Sequence, residues 1–168
     1  MDRDVFSRLL EGAVGHAGTR DVALAAGRVC GKVFAEELES SVQSHYDVAL
    51  REIPLVEFRE LIARACEGHG YARVSLDTTH VADGVLEIGF EREARGDLEL
   101  AFQSGLVITV LERLTGDAAL GGVLVEDRDG STSCIITSKE RLAGHTSESR
   151  PDRAEILASL RMVEGVAS

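Results

Sequence analysis

Between Asp97 and Gly116 runs LELAFQSGLVITVLERL, and its residues from Leu98 to Leu111 are apolar around most of a helical circumference. A helix of that kind has no face to give to water, so it must lie at the centre of a fold with other elements on several sides. The β-branched run Val107-Ile108-Thr109-Val110 is tolerable in such a helix, because packing outranks intrinsic propensity. No apolar run approaches the ~20 residues of a membrane span. Segment 97–115 is therefore expected as the buried core helix of a soluble domain.

The flanking patterns supply what surrounds it. Val5, Phe6, Leu9, Leu10, Ala13 and Val14 recur at helical period over 4–14, before Gly15 and Gly18 break the stripe. Thr19 can cap a second helix running to about Val42. Within it Ala23, Gly27, Gly31 and Ala35 lie four residues apart and form one narrow row of small side chains. Each interior glycine costs about 1 kcal/mol against alanine, so something must approach that row closely. A tight helix crossing, a wall beside an apolar cavity, or a helix–helix dimer seam would each account for it. Tyr46 to Ile53 is a connector, and Pro54 opens a third helix over 55–67, ended by Gly68.

The period then changes from 3.6 to 2. Ala72, Val74 and Leu76, then Leu86, Ile88 and Phe90, alternate with polar neighbours, predicting strands at 71–80 and 85–93 joined through Asp83-Gly84. A second hairpin is expected from 121–126 and 133–137 across Asp127-Arg128-Asp129-Gly130. The stretch 139–152 is polar and loop-like. Ile156, Leu157, Leu160 and Val163 restore a helical stripe that either docks on the domain or engages a partner. The predicted class is α+β, with N-terminal helices packed on an antiparallel sheet of two hairpins and the buried helix between them. The organisation expected is a domain over 1–138, followed by a polar linker and amphipathic helix over 139–168.

Charge and motifs exclude several functions. Eighteen Lys and Arg against 29 Asp and Glu leave a net charge of -11, opposite to the basic footprint of a nucleic-acid binder or of a protein held on anionic lipid. Three cysteines, Cys30, Cys66 and Cys134, are too few and too scattered for a disulfide scaffold, and MDRDVFSRLLEG does not read as a secretion signal. A cytoplasmic location is expected. The five histidines show no HxH or HExxH spacing and CxxC is absent, so no metal site is expected. Treated as a calcium loop, the segment around Gly130 would put its first and last ligands on Val125 and Ile136, which are apolar. Phosphate-binding glycine motifs and a nucleophile elbow are missing. Neither cofactor nor catalytic residue is expected.

Two stretches carry a family resemblance. LEIGFEREARGDLELAFQSGLVITVLERLTG, with Phe102, Gly105 and Leu106 in its helix, and VLVEDRDGSTSCIIT, with Glu126 and Cys134, resemble the 4-vinyl reductase domain family. The glycine-punctuated LLEGAVGHAGTRDVALAAGRVCGKVF is similar as well, so the resemblance spans about residues 1–138. It implies helices covering one face of an antiparallel sheet, dimerisation through helices, and an apolar molecule held beside the central helix. Relatives that carry a metal on the closing hairpin have two cysteines there. Here Arg128 stands where the first would fall, so that site is not carried over.

The leading expectation is a non-catalytic, regulatory or sensory domain that binds a small apolar ligand, as a homodimer. Phe90, Leu98, Phe102, Leu106 and Val110 would wall its pocket, and Gly27 and Gly31 would provide the space. The alternative is a protein–protein scaffold like the transport-particle subunits that the family includes, meeting its partner through the Gly27/Gly31 face or the C-terminal helix. A third reading, an accessory protein in tetrapyrrole reduction, rests on the resemblance alone.

Overall fold

The structure is a computed structural model, describing residues 19–91 and 96–162. The apolar stripe expected over 4–14 lies outside those residues. Two long helices dominate. Helix α1 spans Arg20–Tyr46, capped by the Thr19 side chain, which accepts from the Val22 amide. It runs one turn beyond the expected end near Val42, because Val42 is still a core residue and the polar turn after it faces solvent. Asp47, at φ 56 in the left-handed region, stops it. A short 3-10 turn at Leu50–Glu52 leads to α2, Leu55–Gly68, entered through Pro54 as expected.

Four strands form one sheet in the order β1-β2-β4-β3, every neighbouring pair antiparallel. Strands β1 (Val74–Asp77) and β2 (Leu86–Phe90) are shorter than the alternation predicted. Asp83-Gly84 is not a two-residue hairpin turn. It closes a 3-10 turn at Val81–Asp83, with Gly84 at φ 67, inside a longer connection. Helix α3, Asp97–Thr115, crosses from β2 to β3 (Leu120–Glu126), which turns through Gly130 into β4 (Thr132–Ser138).

Helix α3 is buried without interruption from Glu99 to Leu111, as its composition demands. It lies between α1 and the inner face of the sheet, and Leu76, Ile88, Leu124, Cys134 and Ile136 rise from the strands into the same core. The predicted α+β architecture is the observed one, with the glycine-bearing helix and the apolar helix side by side over an antiparallel sheet.

The outer face of the sheet is also covered, a layer that the family resemblance did not imply. Val85, Val123, Val125 and Ile135 point away from α3 and pack under Leu142, Ile156 and Leu160. Residues 139–152 and helix α4 (Arg153–Met162) therefore fold back onto the sheet. Arg153 fastens the start of α4 by two parallel hydrogen bonds, Nε and Nη2 each donating at 2.7 Å to the Glu87 carboxylate. Of the two outcomes left open for this tail, docking on the domain is the one observed.

Candidate functional site

The row of small residues on α1 meets Gly105 and Thr109 on α3, which share a four-residue spacing with Ala101. A Cβ built on Gly27 would overlap the backbone carbonyl of Phe102, and one on Gly105 would overlap that of Leu24. A Cβ on Gly31 would stand 2.8 Å from the Thr109 Cβ. The Thr109 hydroxyl donates across the seam to the Arg28 carbonyl at 3.2 Å. The helices thus touch backbone to backbone, and α3 takes up the space that the glycines were expected to give a ligand. Among the expected pocket walls, Phe102, Leu106 and Val110 are core residues, while Phe90 and Leu98 are half-buried and packed against the same core. The seven expected residues are brought together, but as a packed seam and core.

Polar groups inside this assembly are structural. The buried Gln103 amide acts like a piece of strand. Its Nε2 donates to the Ala72 carbonyl at 2.6 Å, and its Oε1 accepts from the Ala72 amide at 3.2 Å. Arg20, 5% exposed, sits at the start of α1 and donates to Asp97, Glu126 and the Ser147 carbonyl. Arg150 reaches the same two carboxylates at 3.0 and 3.2 Å. Two arginines and two carboxylates thereby tie α1, α3, β3 and the returning tail together. Burial pushes the Cys66 and Cys134 thiols up to about 12. Thiols held that far above neutrality carry almost no thiolate and make poor nucleophiles. Cys30 is exposed. Among the described residues no group of three or more His, Cys, Asp or Glu side chains could hold a metal ion, and no helix is long and apolar enough to cross a membrane.

Open space lies elsewhere, between α1 and α2. A cleft of about 550 Å³ is lined by Tyr46, Val48, Glu52, Ile53, Pro54, Glu57, Glu60, Leu61 and Arg64. A second, of about 320 Å³, runs between Phe34, Leu38 and Ser41 on α1 and Leu61, Ala65 and His69 at α2. Both are lined by Leu61 and Arg64, so the two clefts adjoin at these side chains, and the pair makes up the groove between α1 and α2. His69, which lines the smaller cleft, lies edge-on against Phe34 with ring centroids 5.0 Å apart and 3.4 Å from the Glu37 carboxylate. The groove exists because α2 is apolar over a wide arc. Phe58, Ile62 and Cys66 fill the core, which leaves Leu61 and Ala65 half-buried as the floor beside it.

None of the seven expected ligand residues lines this groove. Leu61 and Ala65 are legible as part of an apolar helix face, but the 3-10 turn that sets α2 apart from the end of α1 is not. The sequence matches no protein-family model and no curated protein.

Proposed function

We propose that this chain is a small non-catalytic domain that holds a small molecule with an apolar body in the groove between α1 and α2. One observation carries the reading. Val48, Ile53 and Leu61 line one open cleft and Phe34, Leu38 and Leu61 the adjoining one, in a molecule whose α1–α3 seam has no space to spare. A cleft of a few hundred Å³ with apolar walls and a few polar groups is the ordinary form of a small-molecule site. Kinship with the 4-vinyl reductase domains belongs to the same proposal. It is supported by the order of elements, helices first, then two strands, a buried helix and two more strands. A regulatory or sensory role belongs to the same proposal.

Native mass spectrometry of the purified chain, together with titration by the neutral dye Nile red, tests the proposal. Leu61 is half-buried, so Leu61→Glu can keep the fold while placing a charge on the groove floor. Loss of dye binding with an unchanged circular dichroism spectrum is expected. Full dye binding by the variant would defeat the reading.

A second reading, a homodimer or scaffold contact, is favoured by the outer face of α1. Val22, Val29 and Val33 are 50%, 68% and 59% exposed and share one stripe opposite the glycine row. Contact through that stripe would replace the contact first expected at Gly27 and Gly31. Sedimentation velocity of Val29→Asp decides it: a dimer that survives the substitution does not use this face.

A further inference from the structure

We infer that the groove between α1 and α2 selects an organic cation, its apolar body on Ile53 and Leu61 and its charged head between Glu57 and the ring of Tyr46. The inference rests on the proposed binding role and adds the class of ligand. The charges around the larger cleft carry it. Glu60 is satisfied within the protein, by Arg64 Nε and Arg73 Nη2, both at 2.8 Å. Arg73 is further held by Glu67 at 2.6 Å, so these four side chains neutralise one another. Glu52 is turned back to the backbone, accepting from the Ala49 amide at 3.0 Å. Glu57 alone among the cleft carboxylates has no hydrogen bond or ion pair among the described residues.

A neutral ligand over this cleft would remove water from Glu57 and return nothing for it, which is costly for a carboxylate. An anion would add repulsion from Glu52 and Glu57. An ammonium head supplies the missing partner. Tyr46, on the same cleft and 67% exposed, offers an aromatic face of the kind that holds alkylammonium groups. The net charge of -11 enriches cations near the whole surface. The cleft, at about 550 Å³, is of small-molecule size.

Three probes of one chain length separate the possibilities: octyltrimethylammonium, octan-1-ol and octanoate, titrated by calorimetry below their micelle concentrations. The cation is expected to bind about tenfold tighter than the alcohol at low salt, with octanoate weakest. Glu57→Gln is expected to remove most of that advantage and leave the alcohol unchanged. Equal binding of cation and alcohol by the wild-type chain would overturn the inference while leaving the groove as a binding site. Absence of binding by all three would overturn the groove itself. An oligolysine peptide that binds more tightly than the octyl cation and is indifferent to Glu57→Gln would assign the charge preference to the acidic surface, and the inference would fall.

Discussion

Gly105 on α3 and Leu24 on α1 are in backbone contact, with the Leu24 carbonyl lying where a Gly105 Cβ would go. Gly27 stands in the same relation to the Phe102 carbonyl. Neither obstacle is a flexible side chain, so a methyl group can enter only by separating the helices. Gly105→Ala and Gly27→Ala should each cost about 2–3 kcal/mol, even though alanine is the better helix former by about 1 kcal/mol. Urea unfolding midpoints check this. Gly31→Ala should cost less, because its nearest obstacle is the Thr109 side chain at 2.8 Å. Equal or higher stability of Gly105→Ala would mean that the seam is looser than described.

Gly68 supplies the opposite sign. It closes α2 with nothing within 4 Å of the position a Cβ would take, and its φ is not positive. Gly68→Ala should therefore stabilise the chain by up to ~1 kcal/mol, chiefly by narrowing the unfolded ensemble. The same urea series reads it, and a loss of stability would contradict the open surroundings.

The contrast between these glycines marks what periodicity can and cannot convey. The four-residue spacing of Ala23, Gly27, Gly31 and Ala35 required a close neighbour, and the all-round apolarity of 98–111 required central burial. Both requirements are met by one contact. The matching row Ala101, Gly105 and Thr109 was equally present in the sequence and would have pointed to a crossing over a cavity wall. Likewise Val123-Leu124-Val125 and Cys134-Ile135-Ile136 are continuous apolar runs, the pattern of strands covered on both faces, and the tail does cover them. The groove had no such signature. It depends on the angle at which a 3-10 turn delivers α2, a property of three residues and their tertiary contacts.

Gln103 makes a sharper test of the core. Its side chain satisfies both the amide and the carbonyl of Ala72. Gln103→Leu would leave two backbone groups without partners in a buried place, at about 1–3 kcal/mol for each. A fall in stability of about 2–6 kcal/mol is expected, together with faster hydrogen exchange at the Ala72 amide. Unchanged exchange there would show that the clamp contributes little.

Arg153 and Glu87 should govern whether the tail stays docked. Their two parallel bonds join α4 to β2, and Ser133 adds a third, its hydroxyl donating to Glu87 at 2.6 Å. Arg153→Met removes the charge and keeps much of the stem. Limited proteolysis should then cut within 139–152 faster, with a global loss of about 1–2 kcal/mol. A cleavage rate equal to wild type would shift the docking to Ile156 and Leu160 alone.

Alkaline pH probes the buried thiols. Burial raises Cys66 and Cys134 from about 9 to about 12, and burial raises the Tyr71 phenol in the same direction. Between those values the unfolded chain releases protons that the folded chain keeps. Stability is therefore full below pH 9 and falls as the pH rises toward 12, by up to about 1.4 kcal/mol per unit for each thiol. Cys134→Ala should lower stability at pH 7, because it leaves a cavity beside Gly122 and Ile108. It should also flatten the alkaline slope by close to one proton, and the slope is the informative quantity. Urea unfolding at pH 7.5, 9 and 10.5 measures it, and an identical slope in wild type and variant would mean that Cys134 ionises as freely in the folded chain as in the unfolded one.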